Sequence, residues 1–169
     1  MKKIEFALIV VLVSFSILSF SQVNNAKIQA VFTYNYTKLV LWPDAYRTGD
    51  FVIGVIGNGN IVNELENMAK TKKVGSQNIV VKNYGSVENI SKCHILVITA
   101  SQSGKISAAV AKSSQYATLV ITENNGGIDK GSCINFVVAD GKQKFEVSEA
   151  NASKRGLKIS NDLVKLAIR

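Results

Sequence analysis

Histidine, proline and tryptophan each occur once in the 169 residues, as His94, Pro43 and Trp42, and cysteine occurs twice, as Cys93 and Cys133. So little histidine limits the chemistry. Cys93 and His94 are neighbours at the start of an apolar stretch that reads as a strand, so their side chains point to opposite faces and cannot converge on one metal ion. Ser101 and Ser103 lie past the far end of that stretch. Seven residues at about 3.3 Å each put Ser101 about 23 Å from His94, far beyond hydrogen-bond reach, which excludes a serine–histidine dyad. Loss of His94 should therefore leave function largely intact. Carboxylate pairs are equally sparse: Glu64 and Glu66 are two apart on a helix and do not face each other, and Glu146 and Glu149 read as surface residues beside a hairpin. No catalytic residue, cofactor site or metal site is expected, and the chain reads as a non-enzyme.

A long second apolar run is also missing. The one run, Phe6 to Phe20, follows Lys2 and Lys3 and ends in small residues at Ser19 and Ser21, the order of a secretory signal peptide and too short for a membrane span. Residues 1–21 are expected to be removed after Ser21, leaving residues 22–169 as one exported domain large enough for a hydrophobic core. No cysteine near that boundary could carry a lipid. The formal charge of +8 falls to +7 without the leader, from scattered lysines and arginines. No basic run alternates with aromatics, so nucleic acid is not an expected partner, and the charge favours acidic partners.

Apolar residues at Ile28, Val31, Phe32, Leu39 and Val40 predict a helix from Ala26 to about Leu41 with one buried stripe, stopped by Trp42-Pro43. The stretch FVIGVIG (51–57) then reads as a strand covered on both faces, followed by a helix through NIVNELENMAK and a strand in QNIVVKNY. A short helix in SVENIS, a strand in CHILVITA (93–100), a helix from Ser103 to about Ser113 and a strand in TLVITE continue the alternation. NNGGIDKGS is too short and glycine-rich for a crossover helix, and CINFVVA meets KFEVS across Asp140-Gly141, a hairpin signal. Two short helices close the chain, the last capped by Ser160. The expected fold is α/β: a mostly parallel, Rossmann-like open sheet with helices on both faces and an antiparallel C-terminal edge hairpin.

Gly57 and Gly59 follow a strand and open a helix, but the dinucleotide fingerprint needs a glycine where the chain has Val62, and an acid where it has Asn83. A tight turn is the better reading. For the cysteines, strand geometry is against a disulfide. They lie at opposite ends of the sheet if their strands are antiparallel, and about 9.6 Å apart if parallel with one strand between.

Taken in order, AVFTYNYTKLVLWP, FVIGVIG, CHILVITAS, LVITE, GSCINFV, KFEVS and GLKISNDLVKLA resemble the YfiR-like family of exported bacterial proteins over nearly the whole mature chain. The resemblance implies a periplasmic α/β regulatory protein that works by binding: it restrains a membrane-bound diguanylate cyclase by holding its periplasmic part, keeping cyclic di-GMP synthesis low. The implied partner is that periplasmic part of an inner-membrane signalling protein, a diguanylate cyclase or a histidine kinase; a homodimer is compatible with the resemblance. The family's named member carries two disulfides, which two cysteines cannot reproduce. Candidate partner-binding residues are Trp42, Tyr36 and Tyr34, because large aromatics anchor interfaces; the competing and favoured reading is that Trp42 and Tyr36 pack the first helix onto the sheet. The alternative function is a small-ligand-binding protein or enzyme using the loops at the strand C-terminal ends, Gly57 to Asn60 and Ala100 to Ser103.

Overall fold

The computed structural model describes residues 25–168; the expected leader and its cleavage site lie outside the described residues. Helix α1 spans 25–39 and is followed by a two-residue strand β1 (Val40–Leu41), then β2 (Phe51–Ile56), α2 (Asn60–Ala69), β3 (Lys73–Val74) and β4 (Gln77–Asn83). Next come β5 (Ile95–Ile98), α3 (Ile106–Lys112), β6 (Leu119–Thr122), β7 (Ile134–Ala139) and β8 (Lys142–Val147), and the chain closes with α4 (Glu149–Ser153), β9 (Lys158–Ile159) and α5 (Asn161–Leu166). No described helix is long and apolar enough to cross a membrane.

One sheet runs in the order β3-β4-β2-β5-β6-β7-β8. The five strands from β4 to β7 are parallel and both edges are antiparallel. The crossovers β2-α2-β4 and β5-α3-β6 step away from the β2/β5 junction in opposite directions. Right-handed connections then put α2 and α3 on opposite faces, so this is the mostly parallel α/β sheet that the sequence pattern predicts. The central strands are apolar and almost fully buried: Ile53, Val55, Ile95, Val97, Leu119 and Ile121 are each 0 % exposed, as a sheet covered on both faces requires. At the C-terminal edge, β7 and β8 pair from Ile134↔Val147 to Ala139↔Lys142. Asp140 and Gly141, both at positive φ, make the two-residue turn whose twist matches that of the strands.

Four local expectations are corrected. The helix stops at residue 39, because Val40 and Leu41 are drawn into an antiparallel pair with Ile159 and Lys158, a contact with the other end of the chain. The buried side of α1 is Ala26, Gln29, Ala30, Thr33, Tyr36 and Thr37; Val31 is 52 % exposed, and Phe32 and Leu39 are half-buried. Tertiary packing of Phe32 and Tyr36 onto the Phe136/Phe145 pair of the hairpin decides the helix's rotation, overriding its own hydrophobic stripe. SVENIS forms turns and no helix; the crossover is too short, and the Tyr84 ring lies over Gly54 where a Cβ would collide with it. A β3–β4 hairpin adds an antiparallel edge that the sequence reading missed.

Cys93 and Cys133 precede β5 and β7, parallel strands with β6 between them, so they are about two strand spacings apart. Both are buried and free, and burial pushes both thiols up. Thiol labelling in denaturant without reductant should therefore find two thiols per chain, and labelling of the folded protein should be slow. A single intramolecular bridge would contradict the strand order.

Candidate functional site

The Trp42-Pro43 pair does more than end a helix. Pro43 opens a 3-10 turn, Asp44–Tyr46, and the turn is fastened to the sheet through His94, which is 5 % exposed. The Val52 backbone N–H donates to His94 Nδ1 (3.1 Å), so Nδ1 carries no proton. His94 Nε2 lies 2.7 Å from the Tyr46 carbonyl, which can only accept, so the proton is on Nε2. The ring stacks on Phe51 at 4.2 Å and meets the Tyr46 ring edge-on at 5.2 Å. Trp42 Nε1–H donates to the His94 carbonyl (3.1 Å) and its indole sits edge-on to Phe51. Gln77 adds a second donor to the Tyr46 carbonyl, and the Ala117 N–H donates to the Tyr46 hydroxyl. Burial lowers the His94 pKa, consistent with a neutral ring. His94 is therefore structural: its loss would strand the half-buried Val52 N–H and leave a buried imidazole-sized space, a cost in stability that the sequence does not announce.

Of the three aromatic candidates, Trp42 and Tyr36 are 8 % and 1 % exposed and pack α1 onto the sheet. Tyr34 is half-buried at the surface. Its hydroxyl donates to the Lys73 carbonyl (3.3 Å), and Lys38 Nζ and Lys72 Nζ lie 4.7 and 5.9 Å from the ring centroid. Lys72 and Lys73 are exposed beside it, and residues 25–43 contain no acid. Tyr34 thus marks an aromatic surrounded by ammonium groups, a surface suited to carboxylates.

At the opposite end of the strands, the loops after β2 and β5 do converge. A crevice of about 360 Å³ is lined by Asn58, Gly59, Asn60, Ala100, Ser101 and Glu123, among others. It sits at the switch point of the strand order, where open α/β sheets hold ligands. Gly57, at positive φ, leaves room for Thr99 and Ser101, whose hydroxyls are 2.9 Å apart. Asn83, in the place of the dinucleotide acid, donates to the Gly57 carbonyl and accepts from the Gly85 N–H, so it braces the turn. Glu123 Oε1 is buried with no hydrogen-bond partner among the described residues, and burial pushes its carboxyl up. His94 lies at the other end of β5 from Ser101, and among the described residues no three of His, Cys, Asp or Glu are grouped to hold a metal.

Sequence reasoning missed two polar anchors. Asn135 of INF, fully buried, accepts the Asn124 N–H and donates to Glu146 Oε2 (2.9 Å), while the Thr122 hydroxyl lies 2.7 Å from its Oδ1. Glu146 is accordingly half-buried and engaged, not a free surface residue. Arg155 donates to the Ser113 and Val110 carbonyls at the C-terminus of α3, where a cation is favoured. A buried arginine after a short helix leaves no periodic signal, whereas an asparagine inside an otherwise apolar strand is a legible one.

A family profile described as YfiR/HmsC-like matches residues 26–168 of the chain. No curated protein matches it.

His94→Ala should destabilise the fold by about 3–5 kcal/mol, combining a cavity with an orphaned Val52 N–H, and Trp42→Phe by about 1 kcal/mol for one hydrogen bond; urea unfolding measures both. A histidine held neutral in the fold and free to protonate when unfolded contributes stability that is full above a pH of about 6.5 and falls below it. The unfolded chain binds the extra proton there, so the loss is at most about 1.4 kcal/mol per pH unit. The stability difference between wild type and His94→Gln should therefore shrink from pH 7.5 to pH 5.5.

Proposed function

The chain belongs to the YfiR/HmsC-like family, and on that premise we propose that it is an exported, periplasmic regulatory protein that restrains a membrane-bound signalling protein. By the family likeness the target is a diguanylate cyclase of cyclic di-GMP signalling, with a histidine kinase as the other class of target. The observation that carries this reading is the match over nearly every described residue, because it takes in the surface features as well as the core. A stoichiometric restrainer acts through the difference in its affinity for the partner's two states, so it needs a recognition surface and no reaction centre.

That surface is the Tyr34 patch. Tyr34 offers a partly exposed ring, and Lys38, Lys72 and Lys73 supply the charge that steers an acidic sensor segment and fixes its register. Trp42 and Tyr36 serve recognition by holding α1, and with it Tyr34, in place. A second reading, a small-ligand protein, rests on the crevice at the strand C-terminal ends, where Glu123 Oε1 has no partner.

Deleting the protein should raise cyclic di-GMP, or the output of the kinase encoded nearby, and overproducing it should lower that output. Lys72→Glu with Lys73→Glu alters exposed side chains only, so the variant should accumulate normally yet restrain its target about tenfold less, with the deficit narrowing at high salt. Turnover of a substrate by the purified protein, or full restraint by the charge-reversed variant at wild-type abundance, would refute the reading.

A further inference from the structure

Asparagine is followed by glycine at two places in the chain, Asn58-Gly59 and Asn125-Gly126. The fold brings both asparagines to the lining of the crevice at the strand C-terminal ends, Asn58 from the turn between β2 and α2 and Asn125 from the loop between β6 and β7. All four residues are exposed. Glycine has no Cβ to shield its backbone nitrogen, and here that nitrogen is also unengaged: among the described residues neither the Gly59 nor the Gly126 N–H donates to a backbone carbonyl. Asn83, exposed as well, is the contrast. Its carboxamide is held by the Gly57 carbonyl and the Gly85 N–H, and the N–H that follows it, of Tyr84, is committed to the Val55 carbonyl. The crevice lining otherwise carries one acid, Glu123, and no base.

We propose that Asn58 and Asn125 are sites of spontaneous deamidation that turn this crevice acidic as the protein ages. The nitrogen of the following glycine, its proton lost to water, attacks the side-chain carbonyl carbon. The new C–N bond closes a succinimide ring as the bond to the carboxamide nitrogen breaks, and ammonia leaves. Water then opens the ring at either carbonyl, giving aspartate or isoaspartate. The sum is amide plus water to carboxylate plus ammonium, so each event adds one negative charge and needs no oxidant or reductant. At position 58 the new carboxylate lies beside the N-terminus of α2, where the helix dipole favours an anion. Conversion of both sites adds two carboxylates to the one of Glu123, which disfavours an anionic occupant and favours a cationic one. Asn60 supplies the internal control, since it is exposed in the same lining but is followed by Ile61. The proposal stands on the loops and does not depend on the regulatory reading.

Ageing the purified protein in neutral to mildly alkaline buffer tests it, with charge read by ion exchange and position by peptide fragmentation in a mass spectrometer. Acidic species should accumulate in two steps, one for each site, with isoaspartate detected by enzymatic methylation. Conversion at Asn58 and Asn125 should outrun that at Asn60 by about tenfold or more. The rate should rise with pH, because the attacking nitrogen must lose its proton. Asn58→Gln and Asn125→Gln, at exposed positions, should each remove one step and leave urea unfolding unchanged, since the longer side chain closes a larger ring more slowly. The same chain aged in denaturant gives the rate without the fold, and the folded protein should come within about tenfold of it at both sites. Conversion no faster at these sites than at Asn60, a fold that protects them by more than that margin, or a doubly substituted variant that acidifies like wild type would overturn the proposal.

Discussion

One neutral imidazole holds the molecule's first helix to its sheet. His94 accepts a hydrogen bond from the Val52 N–H of β2 and donates one to the carbonyl of Tyr46, while its own carbonyl accepts from the indole N–H of Trp42. The two ring nitrogens must play opposite roles for this to work, so the bridge exists only while the ring is neutral. Everything upstream hangs on it. Trp42 and Tyr46 bracket Pro43, and the direction in which α1 leaves the sheet is set by where that bracket is pinned.

The body of α1 is secured by aromatic packing and the chain just past its C-terminus by the far end of the chain. Phe32 and Tyr36, one turn apart, straddle the Phe136–Phe145 pair of the hairpin. Val40–Leu41 pairs with Lys158–Ile159, and Ser160 donates its N–H to the Leu39 carbonyl before capping α5. The tryptophan-proline pair after β1 and the closing GLKIS, far apart in sequence, are thus brought close in space by this pairing. Loop-closure entropy grows slowly with length, so joining the chain's ends this way costs little more than joining nearer segments. It fixes α5 beside α1 and so creates the apolar groove between them.

The polar groups divide by what they do. Asn83, Asn135 and Arg155 are spent on backbone atoms and, for Asn135, on Glu146, bracing loops that lack regular structure. The Tyr34 ring and its lysines and the crevice with Glu123 keep unspent capacity. Among the described residues the buried side-chain atoms without a partner are the Tyr36 hydroxyl, Glu123 Oε1 and Asn124 Nδ2.

The sequence by itself determined the α/β class, the strand and helix order through the centre of the chain and the Asp140-Gly141 hairpin. These are carried by short-range signals: apolar runs bounded by glycine, helical periodicity in 60–69, and a turn dipeptide whose backbone preference is local. The separation of Cys93 from Cys133 was legible for the same reason, since strand spacing is a constant of sheets. Only the tertiary structure decided which face of α1 is buried, because Val31 is as apolar as anything the sheet could have chosen, yet the hairpin aromatics took Phe32 and Tyr36 and turned Ala30 and Thr33 inward, leaving Val31 exposed. Tertiary contacts alone also stopped α1 at residue 39. They turned a lone histidine from a spare residue into the joint between α1 and the sheet, since the end of α1, its buried face and the role of His94 depend on partners far along the chain that no local pattern records.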